Sequence, residues 1–387
     1  MKTTAVHAGL LALLVLLVPL AAALPAQTVA RCGAGWLERI DGYPVLHLKG
    51  TPYEMGYQHG VLFKEHVLEN ARYLLDVKGE QGTLEWGPLR VKPRALLQTI
   101  IDTQQRFVPD RYRDEIRGLA AGAGLSEEKA QLANFIPELF HCSGFALLNS
   151  ATRDGTLYHG RVLDYGIDWR LQEHAVIVVA EPAGGIPFVN VTYAGFVGSV
   201  TGMNARQISI GEMGGGIGHW EGVPMAWLIR EALERAETLD DAIRIFRDSP
   251  RTCQYFYVIA DAKTNRAVGM EASWDTFFTL EPGQFHPLLP KPVKDAVLLS
   301  AGERYDELAR RAEAGYGTFT AATALRLMDR PVAMKSNLHN VLFEPASTRF
   351  WVANASPDLQ PAADRPYQMF QLTELLNRQP DPTAPRR

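Results

Sequence analysis

Cys142-Ser143-Gly144-Phe145-Ala146-Leu147-Leu148-Asn149 leads into the turn Thr152-Arg153-Asp154-Gly155. The chain then returns as Thr156-Leu157-Tyr158-His159-Gly160-Arg161-Val162-Leu163-Asp164-Tyr165. An Asp-Gly pair between two β-prone runs is a strong hairpin signal, because glycine enters left-handed turn conformations without steric cost. Such a hairpin lays the Arg161-x-x-Asp164 segment alongside Cys142. A guanidinium near a thiol favours thiolate, and a carboxylate can orient an ammonium or an amide. A buried structural cysteine beside an ordinary Arg161–Asp164 ion pair fits the same pattern. On a regular strand, residues three apart face opposite ways. Both side chains therefore reach Cys142 only where the strand ends or bulges.

Outward from this hairpin the chain divides into two textures. From Gly50 to about Leu139 the pattern is helical. Thr51-Pro52-Tyr53-Glu54 is a start signal, with Thr51 capping, Pro52 at the first helical position and Glu54 closing a capping box. Helices are expected over 52–78, 88–108 and 111–121, with a fourth, capped by Ser126, from 127 to about 139 and interrupted near Pro137. Beyond Cys142 the pattern becomes short strands, at 142–150, 156–163, 174–180, 187–194, 198–203 and 206–211. Helices at 223–236 and 239–248 follow, the second capped by Thr238. Strands return at 254–260, 267–272, 275–280 and 296–300, helices at 303–313 and 319–329, and strands at 338–343 and 349–353. Strands, helices and strands again imply an antiparallel sheet layered with helices, an α+β fold. The tail after Ser356 is proline-rich and expected to be loose, apart from a short helix near 370–376.

The first residues carry a different message. Lys2, the apolar run Ala8 to Val18 and the small cluster Ala21-Ala22-Ala23 describe a secretory signal peptide over 1–26, favoured by Pro19 and the alanines over the alternative of an uncleaved membrane anchor across Ala8 to Pro25. The mature chain is then expected near Gln27, secreted or periplasmic, with no stable membrane span after cleavage. The uncharged stretch 182–205 alternates as Phe188-Val189-Asn190-Val191-Thr192-Tyr193, the pattern of sheet rather than of a membrane helix. With 387 residues, 47% hydrophobic and 21% charged, the chain is globular, not disordered or fibrous. Its formal charge of −4 comes without a basic stretch, which argues against a nucleic-acid partner. Three cysteines are too few for a disulfide framework and lack zinc-site spacing. In an oxidising compartment Cys32 and Cys253 could pair, leaving Cys142 reactive.

Here the sequence resembles a family. Cys142-Ser143, the Asp154-Gly155 turn and Gly160-Arg161-x-x-Asp164 look like the penicillin acyltransferase-like family of N-terminal-nucleophile cysteine hydrolases. They are more distantly similar to choloylglycine hydrolases and acid-ceramidase-type amidases. Thr51-Pro52-Tyr53-Glu54-Met55-Gly56-Tyr57-Gln58-His59-Gly60 resembles the family's helical prosegment signature. Gly202-Met203-Asn204, Val258-Ile259-Ala260-Asp261 and His339-Asn340-Val341-Leu342-Phe343-Glu344-Pro345 resemble later strands, so the likeness runs from roughly 45 to 355.

The resemblance implies a four-layer αββα fold and self-cleavage of the His141–Cys142 bond. Segment 27–141 then becomes a mainly helical α chain bound to a β chain whose sheet sandwich spans 142–356, with a tail over 357–387. It implies an amidohydrolase or acyltransferase acting on small-molecule N-acyl amides, with Cys142 as nucleophile and Arg161 and Asp164 as its partners. Asn204 matches the Gly-x-Asn strand, though a turn residue tolerating a left-handed backbone suits it nearly as well. Gln254 stands where relatives often carry an asparagine. Leu298-Leu299-Ser300-Ala301-Gly302-Glu303-Arg304 replaces a Thr-Asn-His-like segment, and Arg304 matches a later family arginine or pairs on its own helix with Asp306 or Glu307. A second reading is an exported, non-catalytic binding protein of the same fold.

No cofactor or metal is expected. The run Gly211-Glu212-Met213-Gly214-Gly215-Gly216-Ile217-Gly218 lacks the Lys-Ser/Thr of a phosphate loop, and its glycines more simply let backbone approach the pocket. His59 and His66 lie two helical turns apart, too far to share a metal, and Phe63, Tyr73 and Trp86 suit a core.

Overall fold

The computed structural model describes residues 27–81, 84–86, 89–135, 141–216 and 218–387. The expected signal peptide over 1–26 and the interruption near Pro137 lie outside them. The N-terminal segment opens with three strands, β1 (Gln27–Cys32), β2 (Gly35–Ile40) and β3 (Tyr43–Gly50), and continues into α1 (Pro52–Leu62) and α2 (Lys64–Arg72). A π-helical turn (Tyr73–Lys78) and the short α3 (Gly79–Gln81) end this run. A small hairpin, β4 (Leu84–Trp86) and β5 (Leu89–Val91), precedes α4 (Pro93–Gln104), α5 (Asp110–Ala123) and α6 (Glu127–Asn134). The helix expected from 88 thus starts at Pro93, because Lys92 ahead of the proline is held extended.

The second part alternates as expected. It runs through β6 (His141–Asn149), β7 (Gly155–Asp164), β8 (Ala175–Pro182), β9 (Phe188–Tyr193), β10 (Thr201–Asn204) and β11 (Ile208–Gly214). Next come α7 (Met225–Arg235) and α8 (Leu239–Asp248), then β12 (Tyr255–Asp261), β13 (Arg266–Ala272), β14 (Phe277–Leu280) and β15 (Ala296–Leu299). The chain ends with α9 (Gly302–Ala314), α10 (Ala321–Leu325), β16 (Asn337–Glu344), β17 (Arg349–Asn354), β18 (Gln368–Gln371) and α11 (Leu372–Asn377). The start signal at Thr51 is a full capping box with Pro52 at N1, and Thr238 closes a second box with Asp241.

Two large sheets result. One has ten strands in the order β1-β2-β3-β8-β9-β10-β11-β12-β13-β14, and the other six, β15-β6-β7-β16-β17-β18. Neighbours are antiparallel except at one seam, where β3 runs parallel to β8. An all-antiparallel sheet was expected. The parallel seam arises because β3, from the N-terminal segment, joins the middle of the sheet through a helical crossover. Valines and isoleucines from both sheets, among them Val45, Ile177, Val179, Val191, Val341 and Val352, fill the space between them with Phe343 and Phe350. Helices α1 and α7 cover the ten-stranded sheet, and α9 and α10 cover the six-stranded one. The fold is therefore α+β, with two sheets between helical layers.

Two other expectations are corrected. The proline-rich tail is not loose: β18 pairs with β17, and Arg31 N donates to the Pro385 carbonyl at 2.8 Å, so residues 385–387 cover the outer edge of β1. Cys32 and Cys253 do not form a disulfide. They lie at β1 and just ahead of β12, which are far apart in the strand order, whereas a disulfide needs Cα atoms within about 7 Å.

Candidate active site

β6 and β7 pair in the register His141↔Asp164, Cys142↔Leu163, Ser143↔Val162 and Gly144↔Arg161. The pleat then sorts the side chains onto two faces. Gly144 looks into the space between the sheets, where an added Cβ would lie 2.5 Å from Met213 Sδ. Cys142, two residues earlier, shares that face. Arg161 does too, for a Cβ on Gly211 of the opposite sheet would stand 2.6 Å from its Cγ. Ser143 and Asp164 point the other way, toward α9. Because β7 keeps its pairing through Asp164, Arg161 and Asp164 do face opposite sides. The register shift in this region falls on β16, between Asn337 and His339. Cys142 lies between the two, with the guanidinium on the thiol's face and the carboxylate on the other.

Arg161 is fully buried. Its Nη1 donates to the Val162 carbonyl at 2.6 Å, and its Nη2 to Glu212 Oε2 at 3.3 Å, with both side chains 0% exposed. Gly211 makes the room for this arginine, and Glu212 beside it supplies the counter-charge that a buried cation requires. Sequence reasoning passed over Glu212. Its signal was a lone carboxylate inside the strand Ile208-Ser209-Ile210-Gly211-Glu212-Met213. Burial pushes the Cys142 thiol up to about 12, with Arg161 and the Asp164 N–H opposing and Glu212 and Asp164 adding to the rise. In the continuous chain this thiol is protonated at neutral pH.

Around the pair lies a buried polar belt. His159 Nδ1 bonds Ser209 Oγ at 2.8 Å, and His339 bonds the Tyr193 hydroxyl at 3.1 Å and Thr201 Oγ1 at 3.0 Å. Burial, with Arg161 nearby, pushes His159 down to about 3 and His339 well below its ordinary value. Both are neutral and serve as hydrogen-bonding groups, not cations.

On the outer face, Arg304 pairs with Asp164 Oδ2 and donates to Ser143 Oγ at 2.6 Å. Asp164 Oδ1 accepts from the Met334 N–H at 3.0 Å. Burial still holds the Asp164 carboxyl above its ordinary value, against these donors. Of the two roles left open for Arg304, the pairing within its own helix does not form. Asp306 is taken by Lys291, and Glu307 by Arg310 and Arg311. Ser300, just past β15, meets Ser143 Oγ at 2.7 Å and so joins this group.

Two other candidates sit elsewhere. Asn204 Nδ2 donates to the Leu233 and Ala236 carbonyls at 3.1 and 2.9 Å, and Oδ1 accepts from the Arg206 and Ile208 N–H groups. Its amide is thus spent on the end of α7 and the β10–β11 turn, at the far end of β11 from Gly214. Gln254 is nearer. It precedes β12 and donates to Glu271 Oε1 at 2.6 Å while accepting from the Gly216 N–H at 3.3 Å. Since Gly144 faces Met213 and Val258, stepping back to Cys142 leads toward Gly214 and Gln254, not toward Asn204. A cavity of about 370 Å³ at that end is lined by Gly216, His219, Gln254, Glu271 and Trp274. His59 and His66 do not meet. His59 accepts the Gly195 N–H, and His66 contacts His174. Among the described residues no three His, Cys, Asp or Glu side chains converge as a metal would require.

Residues 151–276 match the family model described as acyl-coenzyme A:6-aminopenicillanic acid acyl-transferase. The chain is 24% identical over 380 residues to protein dcd1B of Dictyostelium discoideum, covering 87% of this chain and 75% of that protein. It is 27% identical over 180 residues to the N-acylethanolamine-hydrolyzing acid amidase of Mus musculus, covering 44% of this chain. The chain spans about half the length of that amidase (49%). Among solved structures, the Caenorhabditis elegans ortholog of that amidase aligns with TM-score 0.42 and 18% identity, covering 53% of this chain and 93% of its own. Penicillin V acylase from Agrobacterium tumefaciens aligns with TM-score 0.38 and 11% identity, covering 55% and 83%.

Proposed function

We propose that the chain, whose residues 151–276 match the acyl-coenzyme A:6-aminopenicillanic acid acyl-transferase family model, is an N-terminal-nucleophile hydrolase of that kind, a self-processing cysteine amidohydrolase or acyltransferase. It acts on linear N-acyl amides through a thioester on Cys142. The observation that carries this reading is the β6–β7 register, which sets Cys142 beside a buried Arg161–Glu212 pair on one face and an Arg304-held Asp164 on the other.

Maturation begins when the Cys142 sulfur attacks the His141 carbonyl carbon. The peptide C–N bond breaks, the thiol proton passes to the nitrogen that becomes the Cys142 α-amine, and the acyl group rests on sulfur. Water then cleaves this thioester, leaving a carboxylate on His141 and a free thiol. The cut changes the thiol's prospects. Before it, burial keeps the thiol protonated with a pKa of about 12. After it, an α-amine of pKa ~8 stands on the same residue and serves as its base. The thiolate attacks the substrate carbonyl, the amine hands its proton to the leaving nitrogen, and an acyl-thioester remains. Water resolves it in a hydrolase, and a second amine resolves it in an acyltransferase.

Arg161 supplies positive charge on the thiol's face as the sulfur ionises, and Glu212 keeps it there. Asp164 lies opposite His141 in register and so beside the new terminus, where its carboxylate orients the ammonium. The leader-like residues at the start of the chain support an exported, secreted or periplasmic, setting.

Intact-mass analysis of purified protein tests the mechanism. Two chains are expected, one ending at His141 and one beginning at Cys142, which co-elute and separate only in denaturant. Cys142→Ala should stay a single chain. A single active chain running through residues 141–142 rules the mechanism out, and a panel of N-acyl amides then defines the substrate.

A further inference from the structure

The segment Ala194 to Val200 joins β9 to β10 and has no regular structure, yet all of it is buried. Buried irregular backbone must find hydrogen-bond partners outside a strand ladder. Here four of those bonds are made by side chains of the N-terminal helical layer. Asn70 of α2 donates Nδ2 to the Ala194 carbonyl at 2.8 Å. His59 of α1 accepts the Gly195 N–H on Nε2 at 3.1 Å. Asn134, the last residue of α6, donates to the Gly195 carbonyl at 2.9 Å and accepts the Val197 N–H at 2.7 Å. Arg230 of α7 closes the set by donating to the Val197 carbonyl at 2.6 Å.

The two ends of the segment reach the reaction centre. Tyr193 and Thr201, which flank it, hold the two ring nitrogens of His339. Its last carbonyl, on Val200, accepts the Glu212 N–H at 3.1 Å, and the Glu212 carboxylate is the one paired with Arg161. Phe196, Val197 and Val200 belong to the same apolar cluster as Cys142.

We propose that the N-terminal helical segment is a permanent part of the site. His59, Asn70 and Asn134 are positioning residues that hold the Ala194–Val200 wall and, through Val200 and Glu212, keep Arg161 seated beside Cys142. This rests on the reading of Cys142 as nucleophile. It goes beyond it by giving the severed segment a lasting role in turnover rather than in folding alone. His59 then owes its place to an accepted backbone N–H, which requires its neutral ring, and burial does push it down to about 4.

The test uses the mature full-length protein with His59→Ala and Asn134→Ala. Ile100→Ala, at a buried residue of α4 that has no polar group to offer the segment's backbone, is a control that also lowers stability. The two positioning variants should lose at least ~10-fold in kcat with KM within ~3-fold, at temperatures where all variants are folded. Ile100→Ala should keep kcat. His59→Gln, whose amide oxygen can still accept the Gly195 N–H, should recover most of the loss. A second readout needs no substrate: iodoacetamide should alkylate Cys142 at least ~3-fold faster in His59→Ala and Asn134→Ala, because a loosened wall exposes a buried thiol. Equal kcat in all three alanine variants, or unchanged alkylation, overturns the proposal while leaving the nucleophile assignment standing. A wild type that turns over no N-acyl amide defeats the functional reading instead, and the alkylation rates still judge the wall.

Discussion

At the scale of single residues, the site depends on two glycines as much as on its charged groups. Gly144 and Gly211 face each other's sheets, and each leaves the volume that a neighbour fills, Met213 in one case and Arg161 in the other. Gly211→Ala would put a methyl 2.6 Å from Arg161 Cγ and 3.2 Å from His159 Nε2, against a buried ion pair. Turnover should then fall by at least ~10-fold with the chain still folded; normal kinetics would remove Arg161 from the site. Arg161→Ala or Asp164→Asn should cost at least ~100-fold in turnover, the scale for losing one preorganised electrostatic partner. Near-normal rates in both would dissociate them from the chemistry. Cys142, Arg161 and Asp164 could be picked out in the sequence because a hairpin sets their register. Glu212 stood out only as a lone carboxylate within a strand and Ser300 not at all, and neither partner could be named, since what matters is which strand of another sheet or turn of another segment lies opposite.

At the scale of elements, the Met55-Gly56-Tyr57-Gln58-His59-Gly60 run has a packing explanation. Helices α1 and α5 cross through reciprocal glycines, Gly56 and Gly60 against Gly118 and Gly122. A Cβ on Gly56 would stand 1.9 Å from the Glu115 carbonyl oxygen, and one on Gly118 2.1 Å from that of Tyr53. Backbone cannot yield as a flexible side chain can. Gly56→Ala or Gly118→Ala should therefore destabilise by ~3 kcal/mol or more, at the upper end for overpacking, visible as a lower urea midpoint. An unchanged midpoint would mean that the helices cross more loosely than described. The same crossing delivers Glu115 to Arg230 of α7, with contacts at 2.9 and 3.3 Å, while Glu234 takes the other side of the guanidinium at 2.6 Å. This buried network joins the N-terminal segment to the rest of the chain across the proposed cut.

At the scale of the whole molecule, burial of titratable groups sets the response to pH. Burial pushes His59 down to about 4 and His159 to about 3, and holds His339 well below its ordinary value. The unfolded chain takes up these protons below pH ~6.5 and the folded one does not. Their stability contribution is thus present above that pH and lost as pH falls toward 4. Glu115 works in the opposite sense. Burial pushes it up to about 7 against Arg230, so its contribution is fully present at acid pH and lost as pH rises through about 7. At pH 5 His59 and His159 each cost ~2 kcal/mol; His339 adds in the same direction, and together they outweigh one carboxyl. The melting temperature should be lower at pH 4.5 than at pH 7.5, and Glu115→Gln should widen that gap by removing the opposing contribution. A melting temperature no lower at pH 4.5, or a narrower gap in the variant, would contradict this balance.

From the sequence alone came the α+β class, nearly every element after Cys142, the capping boxes at Thr51 and Thr238, and the β6–β7 hairpin with its nucleophile candidate. These are local in origin, resting on periodicity, turn chemistry and caps that act within a few residues. Tertiary structure decided what depends on distant partners. It placed β3 parallel to β8 in mid-sheet, tied the proline-rich tail to β1, and took Arg304 from its helix neighbours to Asp164. It also spent Asn204 on backbone carbonyls. In each case burial removed water as a competing partner, and only the folded chain determined which buried group stood close enough to replace it.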